Sequence, residues 1–486
     1  MKLFFLGMVI LIGGYFIYGR MIEKVLAPDD RETPAKKWSD GVDFVVLPHW
    51  KNMLIQLLNI AGVGPVIGVI LGIKFGVIAF VIIPVGNIIG GAVHDFLSGM
   101  MSLRSDGANL PKIIRENIGH KFYLVFSCFM VFLLLLVVAV FINIPAQLVD
   151  SMIPGKPMFW IAVVSIFLYY IAATLFPVDK IIGSLYPLFG GLLLVGSAAI
   201  FAAMIWKLKD CPQLLDESAA FQKAMFTAEK GQPIIPMLFV TIACGIMSGF
   251  HATQSPIIAR TMSSEMQARS SFYGMMVLEG GIAMIWAGAG LMIYNLFPAL
   301  MAKAPGAVLS DITSHFLGKY AGTITVISVI ILAITSGDTA MRSLRLSLAE
   351  IISLPQTKII SRIALCVPLI IVITILLWWS NKSAATFNQL WNYFAWGNQV
   401  LAASTLAAGT VWLGKQRKNC WISWLPGAFM TFVVTTYILW ISPAHGGPLG
   451  FGLELEHAYI FAGFIVLLIT LVLFEKIKQD RPENLR

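Results

Sequence analysis

The stretch ACGIMSGFHATQSP (243–256) sets Ser248, His251, Thr253, Gln254 and Ser255 around Gly249 and Pro256 inside an apolar run. Hydroxyl, amide and imidazole groups there need partners, because an unpaired buried polar group costs roughly 1–3 kcal/mol. A cavity holding a polar substrate satisfies several at once, whereas a neighbouring helix satisfies fewer. His251 titrates near neutral pH, which makes it a candidate proton carrier or substrate donor, with a packed core histidine as the plainer reading. A second interruption, IAGVGPVIG (60–68), places Ala61, Gly62, Gly64 and Pro65 together, removing side-chain bulk and one backbone donor. Half-helix N-termini carry partial positive charge that suits a carboxylate, and carbonyl ends suit a cation. Ala61, Gly62 and Gly64 are therefore expected on a substrate carboxylate, with Ser248, Gly249, His251 and Gln254 also at the substrate. A packing kink at the glycines is the competing reading.

Ionisable residues in apolar surroundings supply the second set of candidates. Asn87, Gly90, Gly91, His94, Asp95 and Ser98 fall on one face of a helix. An ionised aspartate near the bilayer centre costs about 2.5–3.5 kcal/mol, so Asp95 must be paired, protonated or hydrated. His94 and Asp95 serve either ion coupling or a structural contact near the interface. Thr335, Asp338, Thr339 and Arg342 form another stripe. Its alternatives are a cation or proton site at Asp338, with hydroxyls one turn away, and a simple Asp338–Arg342 pair. Glu279, followed by Gly280 and Gly281, either bonds the broken helix or carries a proton.

The elements that must position these residues are membrane helices. Hydrophobic residues make up 58% of the 486, charged residues 12%, and mean hydropathy is +0.82, against about 25% charge in soluble domains. Apolar runs of the length needed to span a bilayer predict about 13 transmembrane helices, near 3–19, 52–73, 75–103, 122–148, 159–178, 182–206, 234–258, 270–297, 319–345, 359–380, 388–413, 421–441 and 457–476. Residues 3–17 resemble a short secretory signal, but Gly19-Arg20-Met21-Ile22 is not a small-residue cleavage site, so a retained span is expected. Segment 298–318 reads as a solvated loop, with a lid over the mouth as its alternative. Cys128, Cys211, Cys244, Cys366 and Cys420 are scattered without a CxxC and read as packing residues.

The net charge of +9 follows the positive-inside rule rather than marking a nucleic-acid partner. Threading the spans with 20–51 inside puts 24 of the 34 Lys and Arg on the cytoplasmic side, including Lys180, Arg481 and Arg486. The N-terminus is then outside and the C-terminus cytoplasmic.

The two interrupted spans are five spans apart, and an odd offset inverts orientation. This is the arithmetic of an all-α polytopic protein with a LeuT-like five-plus-five inverted repeat. The division runs as follows: 1–51 an extra N-terminal helix and cytoplasmic linker, 52–206 the first repeat, 207–233 an extracellular linker, 234–413 the second repeat, and 414–486 two extra helices and a tail. In that class the third helix of the second repeat supplies hydroxyls opposite the first break for a coupling sodium, which here falls on Thr335 and Thr339.

Motifs DGVDFVVLPHW (40–50), AGVGPVIGVILG (61–72), GGAVHDF (90–96), MSLRSDG (101–107), ACGIMSGFHATQSPIIARTM (243–262), LEGGIAMIWA (278–287) and SGDTAMR (336–342) together resemble the carbon starvation protein A (CstA) family, in a short form. The resemblance implies a bacterial inner-membrane secondary transporter linked to peptide uptake and, in some branches, to proton-coupled pyruvate uptake. No HExxH, GxSxG or P-loop motif is present, so no enzyme is expected. The expected function is ion-gradient-driven symport of a small carboxylate-bearing nutrient, short peptides first and pyruvate second. The ion is a proton or sodium, carried at Asp338, Thr335, Thr339, Glu279, His94 or Asp95. No cofactor or resident metal is expected, and the partners are the substrate and the lipid bilayer. A channel or nutrient receptor is the different-class alternative.

Overall fold

The computed structural model describes residues 1–153, 158–175, 178–303, 305–356, 358–445 and 447–480. Among them the regular elements are all helical, as buried backbone without water requires. Nine helices among the described residues are long and apolar enough to cross a bilayer, or ten when the bent pair His49–Ile60 and Gly64–Phe75 is one span. Three expected spans fall outside that group for local reasons. Phe159–Leu175 is short, 234–259 is broken into pieces, and Ala384–Lys415 carries Asn388, Asn392, Asn398 and Gln399.

Pieces of chain expected to be loose are structured. Within 298–318, Pro298–Ala302 is a short helix and the following helix runs from Pro305 to Ile351, turning at Gly318 with φ +76°. Val308, Leu309 and Ile312 are buried there, so this segment folds back onto the bundle instead of lying in solvent. In the 207–233 linker, Glu217 Oε1 accepts from the Val77 amide at 2.7 Å. Cys128, Cys211, Cys366 and Cys420 form no disulfide. The side chains of Cys244, Lys180, Arg481 and Arg486 lie outside the described set.

The two ends of the bundle differ in chemistry. At one end Met1 pairs with Asp216 at 2.5 Å and Lys74 donates to the Met301 carbonyl at 2.9 Å. The other end gathers the basic residues. Arg104 binds Glu265 at 2.6 Å, Arg260 donates to the Gly107 carbonyl at 2.8 Å, and Lys415 pairs with Asp480 at 2.8 Å. On this arginine-rich end, the chain before the first broken span is pinned to the second. Val45 and Leu47 donate backbone N–H groups to the carbonyls of Arg260 and Thr261 at 3.2 and 3.0 Å. Asp43 pairs with Arg342 at 2.8 Å and with Arg345 at 3.6 Å.

Candidate functional site

Both interruptions are real breaks in the backbone. The His49–Ile60 helix stops at Ala61, whose ψ of 62° is not helical, and the chain resumes as Gly64–Phe75 at an angle of 55°. Pro65 offers no N–H at this restart. Gly62 is needed for close approach: a Cβ there would sit 2.9 Å from the Phe141 ring and 3.4 Å from Ser336 Oγ. Ser336 in turn donates to the Leu58 carbonyl at 2.9 Å, tying the Pro305–Ile351 helix to the end of the first half-helix.

The second break is narrower than the sequence stretch that signals it. Met247 and Ser248 are extended, and Gly249–Ala259 is already helical, so His251, Thr253, Gln254, Ser255 and Pro256 sit on a half-helix rather than in unwound chain. Pro256 leaves the Ala252 carbonyl without its helical donor, and side chains brace the carbonyls on either side of it: Ser255 Oγ donates to the His251 carbonyl at 3.1 Å and Ser343 Oγ to the Thr253 carbonyl at 2.8 Å. Gly249 lies against the Ala384–Lys415 helix, where a Cβ would fall 2.3 Å from the Ala402 nitrogen.

Four ionisable residues from three helices meet beside this half-helix. Asp95, on the Ala92–Arg104 helix, accepts from His94 Nδ1 at 2.8 Å and from His251 Nδ1 at 3.1 Å. His251 Nε2 stands 4.0 Å from Glu279 Oε2. All four side chains are 0% exposed. With both Nδ1 atoms donating to an ionised Asp95, the neutral His251 ring presents Nε2 as an acceptor toward Glu279, whose two oxygens have no hydrogen-bond partner among the described residues. One water, or a carboxyl shift of about 1 Å, brings Glu279 within transfer distance of that nitrogen. A proton passing from the Glu279 carboxyl to His251 forms an imidazolium against the Asp95 carboxylate. Ser98 and Ser255 share a hydrogen bond of 2.8 Å next to this chain, joining the same two helices. The expected stripe on the first of them is buried throughout, and Gly91 lets it lie on the Ile246 carbonyl at the second break.

The other coupling candidates lie in a different neighbourhood. Asp338 is buried beside Tyr169 and Tyr170. Thr335 Oγ1 donates back to the Leu332 carbonyl at 2.9 Å and Thr339 Oγ1 to the Ser336 carbonyl at 3.0 Å, so both hydroxyl protons are spent within their own helix. Arg342 reaches Asp43 and the Ala173 carbonyl. Of the substrate candidates, Ala61, Gly62, Gly64, Ser248, Gly249, His251 and Gln254 are all buried at or next to the breaks, and Ser248 Oγ and Gln254 Oε1 have no partner.

Four further buried amides belong to this region and were not singled out from sequence. Among the described residues, Gln56 and Asn59 have all their side-chain polar atoms unpartnered, and Asn398 and Gln399 each leave an amide oxygen unpartnered. Gln56 and Asn59 interrupt the run MLIQLLNI one turn apart, which was the available signal. From the opposite end of the bundle, a cavity of about 300 Å³ opens toward the breaks, lined by Ile67, Leu71, Gln147, Asn388 and Trp391 among others. Beyond Trp391 stand Phe394, Phe141 and Phe250, with ring centroids 5.4, 5.8 and 5.6 Å apart in sequence.

Comparison with known proteins gives a family, sequence relatives and solved structures of similar fold. A family model described as carbon starvation protein CstA matches residues 1–182, 160–308 and 295–437. An uncharacterized membrane protein of Haemophilus influenzae is 40% identical over 337 residues, covering 60% of this chain and 91% of that protein. A peptide transporter CstA of Helicobacter pylori is 26% identical, covering 59% of this chain and 50% of its own length. A pyruvate/proton symporter BtsT of Escherichia coli is 25% identical, covering 62% and 53%. The chain thus spans about half the length of these two named transporters. Among solved structures, an Eremococcus coleocola manganese transporter aligns with a TM-score of 0.56 at 14% identity, over 91% of this chain and 99% of that one. A Na+-coupled sialic acid symporter aligns at 0.54 and 11% identity, over 96% and 97%. These likenesses establish a shared LeuT-type transporter fold.

Proposed function

We propose that this chain, which belongs to the carbon starvation protein CstA family, is a bacterial inner-membrane symporter importing a small carboxylate-bearing nutrient with a proton. The observation that carries the reading is the buried Glu279–His251–Asp95–His94 chain. Such a group has no structural need for two imidazoles and two carboxyls in an apolar bundle, where each ionised group is costly. Its members sit on helices that an alternating-access cycle moves against each other, so loading and release of one proton can be tied to the breaks.

The substrate reading is a short peptide. Carboxamides match the donor and acceptor pattern of a peptide bond, and Gln254 and Asn398 provide them beside the second break, with Ser248. The first break at Ala61, Gly62 and Gly64 is assigned to the substrate carboxylate; the Ala61 and Gly62 amides already donate to the Leu57 and Ile60 carbonyls at 2.8 and 2.7 Å, so the contact falls to the restart at Gly64. Pyruvate is the second reading, favoured by the pyruvate/proton symporter among the relatives. Asp338, Thr335 and Thr339 are the rival coupling site, for sodium. The scaffold we assign is thirteen spans in a five-plus-five inverted repeat, 52–206 and 234–413, joined by an extracellular linker at 207–233. One helix and a linker precede it at 1–51, and two helices with a tail follow at 414–486. The arginine-rich end faces the cytoplasm, as positive-inside charge demands.

Purified protein in liposomes is expected to accumulate labelled dipeptide when a proton gradient is imposed, and not under a sodium gradient alone. Pyruvate in place of dipeptide selects the second reading. Flux that needs no gradient and exceeds about 10⁵ per second, faster than μs–ms conformational cycling, marks a channel and overturns both.

A further inference from the structure

The two half-helices on the arginine-rich side, His49–Ile60 and Gly249–Ala259, run antiparallel and are fixed at both ends of their contact. At one end the Ile60 carbonyl lies beside the His251 ring. At the other, Asn52 Nδ2 donates to the Thr261 carbonyl at 2.9 Å, and Thr261 Oγ1 donates to Asn52 Oδ1 at 2.8 Å. Asn52, Gln56 and Asn59 share a helical face between these points, by their spacing of four and three. Gln254 lies on the facing half-helix, one turn beyond His251. Five polar atoms of Gln56, Asn59 and Gln254 along this seam have no partner among the described residues, though all three residues are 0% exposed. Amides that merely glued two helices would bond each other or the backbone, as Asn52 and Thr261 do.

We propose that this seam is a hydrated path carrying the proton between the Glu279–His251–Asp95 chain and the arginine-rich face, with the Asn52–Thr261 pair as its lock. The inference rests on the proton-symport reading and names the exit it requires. Together these five atoms, two on Gln56, two on Asn59 and one on Gln254, offer waters the two to four polar contacts that each buried water needs. The proton leaves the Glu279 carboxyl, moves through the O–H bonds of those waters, and ends on bulk water beyond Thr261, leaving a carboxylate behind. The amides remain neutral throughout. The lock is placed where the 45–47 segment also grips the Arg260 and Thr261 carbonyls, so release of one element frees the other.

The test uses the full chain in liposomes with its five cysteines replaced by serine and Gln56→Cys added. A membrane-impermeant methanethiosulfonate is expected to modify that thiol from the arginine-rich face, about tenfold faster when Thr261→Val removes a lock hydrogen bond worth about that factor. No modification from that face in either background, with thermal unfolding intact, overturns the path; an equal rate in both overturns the lock. In the protein with its native cysteines, Gln56→Leu is expected to slow substrate-dependent proton entry about tenfold, and Gln56→Ser, which still binds water, to recover it. If proton entry persists unchanged in Gln56→Leu, the path is overturned while symport stands. If the unmutated protein moves no proton with either dipeptide or pyruvate, symport itself is overturned.

Discussion

Asp95 receives two imidazole donors, and that decides what each histidine can do. Its carboxylate fixes Nδ1 of both rings as donors, so His251 presents Nε2 to Glu279. Replacing Glu279 by Gln keeps the shape and removes the exchangeable carboxyl proton. Gradient-driven accumulation is expected to vanish in Glu279→Gln, while dipeptide still raises the unfolding temperature, since ligand stabilises the folded state by mass action. Asp338→Asn is expected to retain proton-driven accumulation. The reverse pattern would move the coupling charge to the Thr335–Thr339 helix. From sequence, the His94–Asp95 pair, His251 and Glu279 stand out as polar residues in apolar runs, but as three separate candidates. Asp95 and His251 are 156 positions apart, and no local periodicity connects them.

At the level of elements, the broken spans depend on glycines that let backbone approach backbone. Gly249 meets Ala402, Leu401 and Asn398 so closely that an added Cβ would fall 2.3–2.4 Å from each. Gly249→Ala is therefore expected to destabilise by about 1–3 kcal/mol through overpacking, seen as a lower unfolding temperature in detergent. Gly281 is the control: it is helical, has nothing within 4 Å of an added Cβ, and Gly281→Ala is expected to stabilise by roughly 0.5–1 kcal/mol. The sequence located both interruptions. It overstated the second, because Gly and Pro mark where a helix is allowed to break, whereas the extended pair Met247–Ser248 is set by what packs around it. From its position between two spans the 298–318 segment reads as a solvated loop, with a lid over the mouth as the alternative. Its buried face at Val308, Leu309 and Ile312 exists only against the rest of the bundle.

For the whole molecule, the present conformation is gripped at the arginine-rich end, and the cavity beside Ile67, Gln147 and Trp391 opens at the other. Asp43 is central to that grip. Burial alone would raise its carboxyl, but the charges of Arg342, Arg345 and Arg260 outweigh this and hold it below the ordinary aspartate value. A carboxyl depressed on folding adds stability that is complete above its unfolded pKa of about 4 and is lost as pH falls through the lower folded value. Asp43→Asn is expected to remove that acid-dependent increment and to cost about 3–5 kcal/mol at neutral pH, because it strands buried guanidinium groups. Unfolding temperature against pH for the two proteins checks it. A flat difference across pH 2–7 would show that Asp43 is not the group responsible.

By itself, the sequence determined that this is a helical membrane protein, where most of its spans fall, which two are interrupted, and which polar residues lie inside. All of these follow from composition and local periodicity, which the bilayer enforces residue by residue. Only the tertiary structure decided that His94, Asp95, His251 and Glu279 form one chain, and that Gln56 and Asn59 stand without partners among the described residues between the half-helices. Those facts depend on which helices touch and at what rotation. Contacts between residues far apart in the chain fix both, and local pattern leaves them undetermined.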